Sequence, residues 1–169
     1  MADMTSRVDQ WLRDAHAMEE QAESLLSGQA DRIKTYPALK ARIEQHLEET
    51  RTQAKRLERC LERRNASSSG LKDFAGKFTA TMQNMSGLFA GDEVVKGVLA
   101  SYSFEHMEIA SYRILSAAAR IEGDLETAAV CEEICREEEA MAKWLEEHMG
   151  EVAQEHLLRE EADLEVAKR

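Results

Sequence analysis

Apolar residues recur along this chain at helical spacing, and no run alternates long enough to suggest a strand. Val8, Leu12, Ala15, Ala22 and Leu26 share one face at ~100° per residue. They predict helix A over about residues 3–28, with Gly28 as its stop. Pro37 suits a first helical turn, where its missing N–H costs nothing. The stripe Leu39, Ile43, Leu47, Ala54, Leu57 and Leu61 then predicts helix B over about 36–64, closed by the break "RNASSSG". Leu71, Phe74, Phe78, Met82 and Met85 predict a short crossover helix over about 70–87. "FAGDEVV" breaks at Gly91 and caps at Asp92. Helix C follows over about 92–122 with Val94, Val98, Tyr102, Ile109 and Tyr112. "EGDLE" repeats that punctuation with Gly123 and Asp124. Helix D is expected over about 124–149, stopped by Gly150, and a tail helix over about 151–167.

Short turns join A to B and C to D, so each pair should be antiparallel. The B–C connection, about 25 residues, is long enough to cross the bundle and make B and C parallel. One long crossover is the ferritin-like connectivity. The expected fold is therefore all-α, a single ferritin-like four-helix bundle with a C-terminal helix. Composition agrees: 33% of residues are charged, 5% are aromatic and Pro37 is the one proline.

The stripes are not purely apolar. On a 100° wheel Glu19 falls in the middle of the A stripe, while Glu20 and Glu23 fall outside it. Glu105 lies among Val98, Tyr102, Ile109 and Tyr112. Glu138 shares a face with Ile134, Met141 and Leu145, and Glu137 and Glu139 diverge from it. In helix B, His46 lies within the stripe and Glu49 at its flank. His46/Glu49 and Glu105/Glu108 are each three residues apart and so lie on one face. An unpaired buried carboxylate costs several kcal/mol, so it is protonated, paired or metal-bound. An acid or imidazole from every helix at similar depth points to divalent metal. Mixed carboxylate and imidazole donors suit iron, manganese or zinc better than calcium or magnesium.

Other features narrow the function. A formal net charge of −11 disfavours nucleic acid and acidic membrane surfaces as partners. Cys60, Cys131 and Cys135 are an odd set for a disulfide framework and suggest a reducing compartment. The start "MADMTSRVDQW" lacks a signal-peptide core, and no run approaches the ~20 apolar residues of a membrane span. A soluble cytoplasmic protein is expected. His16 reads as a surface histidine and His106 as a non-ligand pointing away from Glu105. His148 lies ~15 Å along its helix from Glu138, too far to share a metal. Cys131 and Cys135 read as small core residues. Tyr102 and Tyr112 flank Glu105 and read as packing aromatics that can hydrogen-bond to ligands.

"WLRDAHAMEEQAESLL", "ARIEQHLEETRTQ", "VVKG", "YSFEHMEIASY" and "REEEAMAKWL" together resemble the small bacterial ferritin-like stress proteins of the YciE/YciF type, nearest to YciE. The resemblance covers nearly the whole chain. It implies a di-iron centre in a four-helix bundle, often a homodimer, linked to stress responses with no firmly assigned reaction. It implies Glu19 as the helix A ligand, and Glu49 as a bridging acid from B with His46 close by. From C it implies Glu105 with Glu108, and from D Glu138 as a second bridge. Thr52 and Met141 stand where the wider ferritin-like pattern has histidine. The expected grouping is one metal at Glu19, His46 and Glu49 and another at Glu105, Glu108 and Glu138. Two functions follow as expectations: a di-metal oxidase acting on Fe(II) with O₂ or peroxide, and a non-enzymatic stress or assembly module that keeps the bundle.

Overall fold

The computed structural model describes residues 4–66 and 93–162. Four helices make up the described chain: α1 (Met4–Arg32), α2 (Pro37–Arg63), α3 (Glu93–Glu122) and α4 (Leu125–Glu161). They correspond to the expected helices A to D. The expected crossover helix over about 70–87 and the last part of the tail helix lie outside the described residues.

Two helix ends differ from expectation. Gly28 does not stop α1, which continues to Arg32, and Gly150 does not separate a tail helix, because α4 runs through it to Glu161. A glycine inside a helix costs only about 1 kcal/mol. Each of these is outweighed by an apolar stripe that resumes beyond it: Ala30 and Ile33 after Gly28, Val152 after Gly150, all buried. Gly123 does end its helix. It takes φ +89°, and Gly123 N–H and Asp124 N–H bond back to Arg120 and Ala119 carbonyls in the Schellman pattern. Asn65, at φ 55°, closes α2 in the same way.

α1 packs on α2 and α3 on α4, and the two hairpins meet along α1–α3 and α2–α4. Arg64, just past α2, fixes their relative direction. Its guanidinium donates to Asp9 near the start of α1 (2.6 Å), Glu122 at the end of α3 (2.9 Å) and Asp124 before α4 (2.7 Å). The end of α2 and the end of α3 therefore lie together, so the two helices are parallel, as the long connection requires.

The buried apolar residues fall into two clusters. One holds Leu12, Met18, Leu57, Ile109, Tyr112 and Ile134, and the other Leu26, Tyr36, Ile43, Val98, Met141 and Leu145. Between them lies a layer of buried polar side chains. Met141 falls on one side of this layer and Cys135 on the other, as their places about one turn after and before Glu138 on the same helix dictate. No described helix is long and apolar enough to cross a membrane.

Asp124 caps α4 by accepting from Thr127 N–H (3.1 Å), and it also accepts from Arg64 and Arg63. Burial alone would raise its pKa, but these hydrogen bonds outweigh burial and hold it well below the usual carboxylate range. Asp124→Ala should lower stability by about 1–2 kcal/mol near neutral pH, the usual loss for an N-cap. A depressed carboxyl pKa stabilises above the unfolded value, so the gap to wild type should close as pH falls below about 4. Urea denaturation of both proteins across that range measures it.

Candidate metal centre

The polar layer is built by one helical frame repeated four times. On α1 the inward positions run Val8, Leu12, Ala15, Glu19, Ala22, Leu26, and on α2 Leu39, Ile43, His46, Thr50, Gln53, Leu57; all are buried. On α3 they run Val98, Glu105, Glu108, Tyr112, Leu115, and on α4 Cys131, Ile134, Glu138, Met141, Leu145. Long helices that wrap on one another keep a spacing near 3.5, so the inward face follows steps of three and four.

His46, Glu105, Glu108 and Glu138 each offer a ligand atom, and these atoms all lie within 4.8 Å of one another. His46 Nε2 is 3.2 Å from Glu105 Oε2 and 3.2 Å from Glu138 Oε2. Glu19 adjoins this group. Its Oε1 accepts from the Tyr112 hydroxyl, and its charge is felt by Glu108. Among the described residues, the ion-pair partner of this layer is His46. Glu19, Glu105, Glu108 and Glu138 are at most 2% exposed.

Each of these acids keeps one buried oxygen without a hydrogen bond: Glu19 Oε2, Glu105 Oε2, Glu108 Oε1 and Glu138 Oε2. Burial, then the charge of Glu138, raises the pKa of Glu19 well above the ordinary value, against the bond from Tyr112. Burial followed by the charges of Glu19, Glu138 and Glu105 does the same to Glu108. Burial pushes Glu105 up to about 8 although His46 pulls it down. Burial alone would depress His46, but Glu105, Glu138 and Glu49 outweigh it and hold its pKa well above the usual imidazole value. Oxygen-rich donors with open lone pairs and one imidazole suit iron, manganese or zinc.

The structure arranges the expected ligands differently in one respect. Glu49 is not in the layer: it stands behind the imidazole, with Oε2 at 2.9 Å from His46 Nδ1 and 3.3 Å from Arg42 Nη1. Gln45 donates to its other oxygen. Burial opposes ionisation of Glu49, but these partners prevail and lower its pKa to about 2. His46 consequently groups with Glu105 and Glu138 rather than with Glu19 and Glu49. A carboxylate on the far nitrogen fixes the ring and its tautomer, as outer-shell acids do for metal-binding histidines. Thr52 is exposed and bonds back to the Glu48 carbonyl, so it is no ligand position.

The other singled-out residues fall into place around the layer. His16 is buried rather than on the surface, because the α1 face that packs on its neighbours is wider than the stripe. Its Nδ1 lies 3.9 Å from Glu20. His106 is exposed and meets the Tyr102 ring edge-on at 4.5 Å. His148 stacks on Trp144, with its Nδ1 2.7 Å from that residue's carbonyl oxygen. The three cysteines are buried free thiols. Thr50 and Gln53 were not foreseen. Both fall within the α2 stripe at ~100° per residue, Thr50 between Leu39 and Ile43, and only their polar side chains hide them from an apolar pattern.

Raised carboxyl pKa values have a definite sign for stability. Metal-free protein should be most stable where the buried acids stay protonated and should weaken as pH rises from about 4.5 towards about 8. The raised pKa of His46 acts in the same direction. Thermal unfolding of chelator-treated protein should show a falling Tm across this window, and a flat or rising Tm would contradict an ionisable core without cations.

Comparison with known proteins agrees with this architecture. Residues 5–158 match the family described as a domain of unknown function, DUF892. A Xanthomonas campestris protein of known crystal structure is 43% identical, with TM-score 0.80, over 94% of this chain and 99% of its own. The Escherichia coli stress protein YciF is 23% identical with TM-score 0.77, over 88% of this chain and 96% of its own. YcfI from Rhodopseudomonas palustris is 25% identical with TM-score 0.72, over 86% and 94%. With these neighbours and its helix order, the fold is a ferritin-like helical bundle, and the chain belongs to the DUF892 family.

Proposed function

We propose that this chain is a two-metal carboxylate protein that takes up divalent iron and oxidises Fe(II) with O₂ or peroxide. Manganese and zinc suit the same donors. The observation that carries the reading is the charge of the polar layer. Four buried carboxylates, each with an open oxygen, face one imidazole. Two divalent ions would balance four carboxylates without protonating any of them, whereas an empty layer must hold protons to avoid several kcal/mol per buried charge. His46 Nε2, Glu105 and Glu138 would hold one ion, and Glu19 and Glu108 the other. Bound iron would supply one-electron chemistry towards oxygen. Glu49 would keep the His46 Nδ1 proton, leaving Nε2 free to coordinate, and Tyr112 would orient Glu19. Resemblance to proteins of the YciE/YciF type supports a stress-related role, and buried free thiols suit the cytoplasm.

A second reading is favoured by a surface feature. Leu99, Ala110, Ile114, Ala117 and Ile121 are exposed and fall within ~60° on the outer side of α3. Leu99, Ile114 and Ile121 are 54%, 59% and 75% exposed. Such a face supports a homodimer through α3, and with it a protein whose task is assembly rather than catalysis.

Elemental analysis of protein purified without added metal should find up to two ions per chain, and Glu138→Ala should lose at least the ~10–100-fold in affinity typical of disturbed metal sites. Fe(II) with O₂ should give an absorbance change that Glu138→Ala abolishes. Absence of both metal and absorbance change, with function intact when the acids become Gln, would favour the assembly reading. For the dimer, Ile114→Glu with Ile121→Glu should shift the sedimentation coefficient to that of a monomer without loss of helix.

A further inference from the structure

Gln53 is a neutral amide in the polar layer, bonded directly to one of its acids. It is fully buried at the middle of α2. Its amide nitrogen donates both hydrogens to acids of α4, one to Glu138 Oε1 and one to Glu137 Oε2 at 2.9 Å. Turning the amide over would set its oxygen against two carboxylates, so the orientation is determined by its partners. Glu137 is held in turn by the Arg56 guanidinium. The amide oxygen of Gln53 and the hydroxyl of Thr50 are left buried without a hydrogen bond.

This bond divides Glu138 between two neighbours. One oxygen, Oε2, lies 3.2 Å from His46 Nε2 and is open. The other, Oε1, is occupied by Gln53. A carboxylate that bridges two ions with one oxygen on each uses both, so Gln53 sits on an atom such a bridge would use. The levels along the bundle reinforce this. α2 and α3 are parallel, and one turn separates successive inward residues by about 5 Å. His46 stands at the level of Glu105, where its Nε2 reaches it at 3.2 Å. One and two turns further, where α3 presents Glu108 and Tyr112, α2 presents the neutral Thr50 and Gln53. Glu19 belongs to this second level, bound by Tyr112. The first level thus combines an imidazole with Glu105 and Glu138; Glu108 reaches both this group, within 4.8 Å, and Glu19, whose charge weighs on it more than any other, and the second level sets these two acids beside neutral oxygens.

We infer that Gln53 makes the centre unequal: by occupying Glu138 Oε1 it withholds that oxygen from the second level, so one divalent ion binds at His46, Glu105 and Glu138 first, and a second binds at Glu19 and Glu108 only when Glu138 leaves the amide. Gln53 is on this account a positioning residue that sets the gap between the two affinities. The inference rests on the two-metal reading.

The test is a titration of chelator-stripped protein with Mn(II), followed by calorimetry and by electron paramagnetic resonance. Wild type should fill in two phases separated by at least about tenfold in Kd, the lower range for outer-shell effects on metal affinity. The first equivalent should give the hyperfine pattern of isolated Mn(II), and the second an exchange-coupled spectrum. Gln53→Glu, of nearly the same shape, supplies a further acid at the second level and should tighten the second phase by about 10–100-fold, so that the phases merge. Gln53→Leu removes the bond and should narrow the gap; the readout is the ratio of the two affinities, since loss of an outer-shell partner weakens the first phase as well. It serves as the independent variant should the fifth acid unfold the apo chain, which circular dichroism reports. A single phase with coupled spectra from the first equivalent in wild type would overturn the inference. So would a gap that neither variant alters. Failure of wild type to bind Mn(II) at all would instead remove the two-metal reading itself.

Discussion

Four carboxylates buried at one depth in a helical bundle repel one another and are far from water. Every other feature of this molecule has to accommodate that cost. Ionised together they cannot remain without cations; protonated together they leave a set of neutral acids with unsatisfied oxygens. The bundle answers in part with its own groups. His46 faces Glu105 and Glu138, Tyr112 donates to Glu19, and Gln53 donates to Glu138. These partners are too few to satisfy the layer, and the open lone pairs that remain are of the kind that coordinates iron or manganese. Apolar clusters above and below exclude water from the layer, so charges inside it act at full strength.

The arrangement separates the work of holding from the work of orienting. His46 lies inside the layer, while the groups that fix it are on the rim. Glu49 binds Nδ1, and Arg42 and Gln45 bind Glu49. The same pattern recurs on the opposite side, where Arg56 holds Glu137 and Glu137 holds the Gln53 amide. Arginine therefore stops short of the centre: Arg42 and Arg56, both on α2, each reach the layer only through a glutamate. An arginine in the layer itself would neutralise the acids permanently; kept at the rim, it positions them and leaves their charge available.

Much of this was legible from residue spacing. The order of helices, the parallel course of the second and third, and the buried state of Glu19, His46, Glu105 and Glu138 all follow from apolar periodicity and one long connection. What escaped it on α2 are polar residues inside the stripe. At ~100° per residue Thr50 falls between Leu39 and Ile43 and Gln53 within ~20° of His46, but a stripe traced through apolar side chains alone passes over both. Glu49 falls ~60° from His46, on the flank, and the structure holds it outside the layer, behind the imidazole. The two misjudged glycines have another origin. Gly28 and Gly150 were weighed as local signals, but the stripe beyond each decides whether a helix goes on. Gly123 could be read correctly because an aspartate cap follows it immediately.

Arg64 makes contact with three helix ends at once, and the polar layer lies about midway along the same helices. The donors of that layer come from different hairpins: His46 from one, Glu105 and Glu138 from the other. A slip of a single turn between the hairpins would move them apart by ~5 Å, further than the 3.2 Å that now separates His46 from either acid. Apolar side chains alone tolerate such slips, since one leucine fits another's place. A planar guanidinium that must meet three carboxylates does not. The distant end of the bundle thus works as a gauge, setting the alignment of a centre it never touches.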